Sequence, residues 1–122
     1  MALLAVAPGD SATATYRAGT LALNLRYEMT CGQPGPGPVV VRLPSSFTIS
    51  RPQARIDGAR RTTQRSGMSL TISLPKPPKV TCMSITEGTL RVTVSSVRAP
   101  AGTYVVHARL ETHAFTGLLH VR

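Results

Sequence analysis

Between residues 90 and 110 the chain alternates apolar and polar side chains twice, on either side of a proline corner. Leu90, Val92 and Val94 alternate with Arg91, Thr93 and Ser95. Past Pro100 and Gly102, Tyr104, Val106, Ala108 and Leu110 alternate with Val105, His107, Arg109 and Glu111. A repeat of two sends one set of side chains to a dry face and the other to water, so each run is a half-covered β-strand. Pro100 stops the first ladder and Gly102 permits a tight backbone approach.

The same period recurs along the chain. Residues 12–17 alternate small apolar and polar groups and read as an edge strand. Ala18-Gly19 turns the chain. Residues 20–31 carry the longest alternation, with Leu21, Leu23, Leu25, Tyr27, Met29 and Cys31 on one face and Asn24, Arg26, Glu28 and Thr30 on the other, as expected of a central strand. Residues 32–38, rich in proline and glycine, exclude regular structure. Residues 39–43 form a strand ended by Pro44, and Phe47 and Ile49 are expected to cap one end of the core.

Residues 51–67 read as a hairpin or meander around the Ile56-Asp57-Gly58 turn. Residues 68–74 alternate again before the proline-rich break at residues 75–79, and a last strand over residues 114–122 turns Phe115, Leu119 and Val121 inward. No helical stretch of useful length and no internal repeat interrupts this pattern. The expectation is an all-β, antiparallel sandwich of seven or eight strands, folded as a single domain over residues 12–122. Residues 1–11 are expected to be disordered or the trimmed remnant of a secretory signal, and no run is long enough for a transmembrane segment.

The corner Gly102-Thr103-Tyr104, preceded by Val92, Val94 and Val97, resembles the strand E to strand F corner of immunoglobulin-like sandwiches, with Tyr104 as the corner tyrosine. Val106 stands where antibody domains carry the strand F cysteine, and the chain has no tryptophan. The resemblance is therefore to the broader bacterial class. Leu43-Pro44, Ile56-Asp57-Gly58, Gly67, Ile72-Ser73-Leu74-Pro75 and Ala101-Gly102-Thr103-Tyr104 together resemble Ig-like modules of bacterial surface and secreted proteins. That likeness implies an extracellular or periplasmic module with a structural or binding role; the lack of convergent catalytic groups adds the expectation of no enzyme activity and no cofactor.

Charge adds a second constraint. Fourteen basic residues against five acidic ones give a net charge of +9. Arg51, Arg55, Arg60, Arg61 and Arg65 crowd one stretch whose only acid is Asp57, and all five arginines are expected on its wet face. Such a face attracts polyanions, for example an anionic cell-surface polymer or lipid headgroups. No aromatic residue interleaves these arginines, so nucleic acid, whose bases call for stacking platforms, is not the expected partner. The carboxylates are scattered, and the sequence lacks a nucleophile elbow, a zinc-protease helix motif and a P-loop.

Cys31 and Cys82, about 50 residues apart, are expected to form a disulfide, worth roughly 4 kcal/mol by chain entropy. An even cysteine count in a small, strand-rich domain points to an oxidising compartment. A different expectation comes from Thr112-His113-Ala114-Phe115-Thr116-Gly117 following the tyrosine corner. This ending resembles periplasmic copper carriers of the CopC type, in which His113 would occupy the place of a metal ligand. The chain departs from that family in having no histidine near its start and no methionine-rich loop. A third expectation, membership of a surface fibre or assembly, follows from sandwich edges open to strand addition. The module would otherwise be a monomer, binding the polymer or another protein.

Overall fold

The computed structural model describes residues 11–29, 38–74, 86–110 and 113–122, with side chains for all of these but residues 28, 29, 86 and 87. Ten strands follow one another: β1 (Ser11–Arg17), β2 (Thr20–Met29), β3 (Val39–Arg42), β4 (Thr48–Ile56), β5 (Ala59–Arg61), β6 (Thr63–Ser66), β7 (Ser69–Ile72), β8 (Thr86–Arg98), β9 (Gly102–Leu110) and β10 (His113–Val121). They form two five-stranded antiparallel sheets. The first has the order β1-β2-β8-β4-β5 and the second β10-β9-β3-β7-β6.

The β1-β2-β8-β4 order and the β3-β9-β10 neighbourhood reproduce the ABED and CFG sheets of an immunoglobulin-type sandwich. β5 extends the first sheet, while β7 and β6 extend the second. The count exceeds the expected seven or eight because residues 48–66 make three strands. The chain turns back after β4, then leaves the first sheet at Thr62 and enters the second, where Ser73 N–H donates to the Thr62 carbonyl at 2.9 Å.

Turn chemistry sets the registers. Between β1 and β2, Ala18 (φ +50°) and Gly19 (φ +82°) link the paired residues Arg17 and Thr20. Between β4 and β5, Asp57 (φ +52°) and Gly58 (φ +86°) link Ile56 and Ala59. Two successive positive φ values define the type I′ loop, whose twist matches that of the strands it joins.

The two inner faces interdigitate. Leu21, Leu23, Leu25, Ile56, Val92 and Val94 from the first sheet meet Val39, Val41, Leu70, Ile72, Leu110, Phe115 and Leu119 from the second, all buried. Along one side β1 packs close to β10. A β-carbon added at Gly117 would stand 3.3 Å from the Ala14 Cβ, so the small residues let these two strands approach. At the corner before β9, the Tyr104 hydroxyl donates to the Pro100 carbonyl at 2.9 Å, the bond that defines a tyrosine corner. Its ring meets Phe47 edge-on at 4.8 Å between centroids.

The long alternation of β8 is not continuous. Ser96 has φ +62°, Arg51 opposite has φ +49°, and the β4–β8 register shifts between Ile49 and Gln53. The bulge lets Val97 return to the core after Val94 despite the odd spacing. It is held by the Tyr16 hydroxyl, which donates to the Val97 carbonyl at 2.7 Å, and by Val97 N–H, which donates to the Gly19 carbonyl at 3.0 Å.

Candidate basic face

The five arginines expected on one wet face divide into two groups. Arg55 and Arg60 are exposed cross-strand partners on the outer surface of the first sheet, and Arg51 is exposed at the bulge. Arg61 pairs with Ala54, whose side chain is buried, and Arg65 pairs with Leu70, also buried. Strand parity therefore starts both side chains on the side of the gap between the sheets, where Arg61 is half-buried, against the expected placement on the wet face, while Arg65 at the sheet edge remains exposed as expected.

There these two arginines lace the sheets together. Arg61 Nε donates to the Ser73 carbonyl at 3.0 Å. Arg65 donates through Nε to the Gly67 carbonyl at 2.9 Å and through a terminal nitrogen to the Ile49 carbonyl at 3.0 Å. Replacing Arg65 with alanine is expected to cost about 1–2 kcal/mol, because charge-assisted bonds to carbonyls at the sandwich edge are lost. The same change at Arg55 should stay within about 0.5 kcal/mol. Urea unfolding of the two variants checks the contrast.

In place of Arg61 and Arg65, the fold adds arginines distant in sequence. The outer surface of the first sheet reads across its strands as Thr13, Asn24 and Arg91 in one row, and Thr15, Ala22, Thr93, Arg55 and Arg60 in the next. Arg91 thus lies diagonal to Arg55, though 36 positions separate them in sequence. Arg17 and Arg98 are exposed on the same surface, toward its other end. Arg26 is on this surface too and already has an intramolecular partner. The signal in the sequence was the polar phase of β8, where Arg91 falls between Leu90 and Val92.

Asp57 is the one acidic side chain that the structure describes, and it is committed to backbone. One carboxylate oxygen accepts from Arg91 N–H at 2.9 Å, while Asp57 N–H donates to the Arg91 carbonyl at 2.9 Å. The pair continues the β4–β8 ladder one step past Ile56 and Val92. The aspartate fixes the hairpin through backbone bonds, and Arg55, Arg60 and Arg91 are exposed, Arg55 with one long bond from its guanidinium to the Gly58 carbonyl at 3.3 Å.

His113 is half-buried at the start of β10. Strand parity turns it inward with Phe115, and its ring lies 5.8 Å from Tyr27 and 6.5 Å from Phe115, centroid to centroid. His107 and His120 are exposed on the outer surface of the second sheet, where His120 Nδ1 is 3.1 Å from the Thr103 hydroxyl. Among the described residues no three histidine, cysteine, aspartate or glutamate side chains gather as a metal site. Cys31 and Cys82 lie outside the described residues, as do residues 1–10. Among the described residues, no helix is long and apolar enough to cross a membrane.

Tyr27 titrates abnormally. Burial raises its pKa above the ordinary tyrosine value of 10.0, and the Asp57 charge raises it further. A folded-state pKa above the unfolded one means the native state holds the proton longer. The stability is complete below about pH 10 and is lost as pH climbs from there through the folded-state value. Tyr27→Phe should remove this part of the alkaline loss, seen as a flatter fall of the urea midpoint above about pH 10.

The fold and surface together define a β-sandwich with one strongly basic sheet face. No protein-family model, curated protein or solved structure is significantly similar to the chain.

Proposed function

We propose that this chain is a non-catalytic, exported Ig-like module that holds an anionic polymer on the outer face of its first sheet. The observation that carries this reading is the convergence of Arg55, Arg60 and Arg91 from three neighbouring strands, with the one described carboxylate occupied by backbone. A flat, rigid array of guanidiniums neutralises a polymer's charge with little ordering cost, because the strands already fix its spacing. Two features support export: the Ig-like strand order, and an even cysteine pair.

The test is binding to dextran sulfate and to linear polyphosphate across a salt series. Three displaced counterions give a log–log salt slope of about −2. Arg91→Ala is expected to weaken binding about fivefold, the effect of about 1 kcal/mol for one cation near an anionic surface. Arg42→Ala, on the outer face of the second sheet, should leave it unchanged. Equal losses from the two variants would show that overall charge, and not this face, makes the contact.

A further inference from the structure

We propose that the polymer is a polyol phosphate, with successive phosphates one polyol unit apart, lying diagonally across β5, β4 and β8. This inference rests on the polyanion reading above and names its ligand. Arg60 and Arg55 are directly opposite one another, which sets their β-carbons about 4.5–5.5 Å apart. Arg91 is two residues from Thr93, the partner of Arg55, and this diagonal spans about 7–8 Å. The arginines thus form a track with one cation every 5–8 Å or so.

Polymer chemistry selects what fits such a track. Three single bonds of an extended chain advance about 3.5 Å, so a polymer with six bonds between phosphorus atoms, such as glycerol phosphate, repeats in about 7 Å. Each phosphate then finds its own guanidinium, in the bidentate contact arginine favours. Inorganic polyphosphate has only two bonds between phosphorus atoms, a repeat of about 2.5 Å. Most of its charges would lie between arginines without a partner.

The surface beside the arginines gives a second indication. Thr93 adjoins both Arg55 and Arg91, and Asn24, Thr13 and Thr15, with Ala22 among them, continue the same face across β2 and β1, while Ser95 follows Thr93 along β8. These donors and acceptors suit the free hydroxyls and phosphate oxygens of a polyol chain. The rows containing Arg55, Arg60 and Arg91 hold no aromatic side chain on which a base could stack.

The experiment measures binding of the full chain to poly(glycerol phosphate), to linear polyphosphate of equal phosphate number, and to phosphatidylglycerol vesicles, at one salt concentration. Poly(glycerol phosphate) is expected to bind at least about tenfold more tightly than polyphosphate. Thr93→Val should weaken only the polyol polymer, and Arg91→Ala both. Equal affinity for the two polymers would overturn the polyol assignment while leaving the polyanion reading in place. Tighter binding to vesicles would also overturn it, in favour of a lipid surface. Binding to none of the three would remove the reading and the inference together.

Discussion

Truncating Phe115 to alanine is expected to remove about 3–5 kcal/mol of stability, a large part of what a domain of this size holds. Phe115 is 2 % exposed and among the largest fully buried side chains. Its partner across the β9–β10 ladder is Ala108, so a large ring fills the space a small neighbour leaves. The ring also stacks on His113. The alanine variant leaves a cavity between the sheets that these neighbours can close only in part. Phe115→Leu, which keeps most of the volume, should lose less than half as much. Urea denaturation followed by far-ultraviolet circular dichroism measures both. A loss under about 1 kcal/mol for the alanine variant would mean that the two inner faces do not share one core.

Reversing the charge at Arg55, Arg60 and Arg91 together is expected to lower affinity for an anionic polymer by at least about a thousandfold. Removing three cations near an anionic surface accounts for roughly 3 kcal/mol, and three new carboxylates add repulsion. The fold should survive, because all three side chains are exposed and their own bonds are slight. Arg55 reaches only the Gly58 carbonyl, at 3.3 Å. Asp57 keeps its bond to Arg91 through the backbone, which the substitution leaves in place. Binding isotherms beside melting curves separate lost contact from lost fold. A variant that melts like the parent and still binds would place the contact elsewhere.

The sequence carried the strands well where parity was unbroken. β2 and β10 bury the alternate residues that their patterns named, from Leu21 to Tyr27 and from Phe115 to Val121. Parity failed where backbone conformation changed it. The bulge at Ser96 and Arg51 shifts the phase of β8 against β4, and nothing in a string of alternating letters marks a left-handed serine. The crossing at Thr62 was equally hidden. Arg60 and Arg61 are neighbours on β5, so with Arg60 outward parity turns Arg61 inward, and the step to the second sheet starts Arg65 from the side of the gap, from which it reaches the Ile49 carbonyl.

The basic face was half visible for a related reason. Local clustering pointed to Arg55 and Arg60, two strand partners joined by a two-residue loop. Arg91 joins them only through the β4–β8 register, which depends on long-range pairing and on the Asp57 bonds that extend it. His113 shows the same dependence on long-range packing. Its place near a strand end matched a ligand position, but its inward parity packs it between Tyr27 and Phe115.

Amide chemical shifts recorded while poly(glycerol phosphate) is titrated into the labelled chain test the account most directly. The largest changes should fall on the β4–β5 hairpin and on β8 around Arg91, with little movement on β3, β9 and β10. Changes centred on the second sheet, or on the Tyr27 and His113 end, would contradict it.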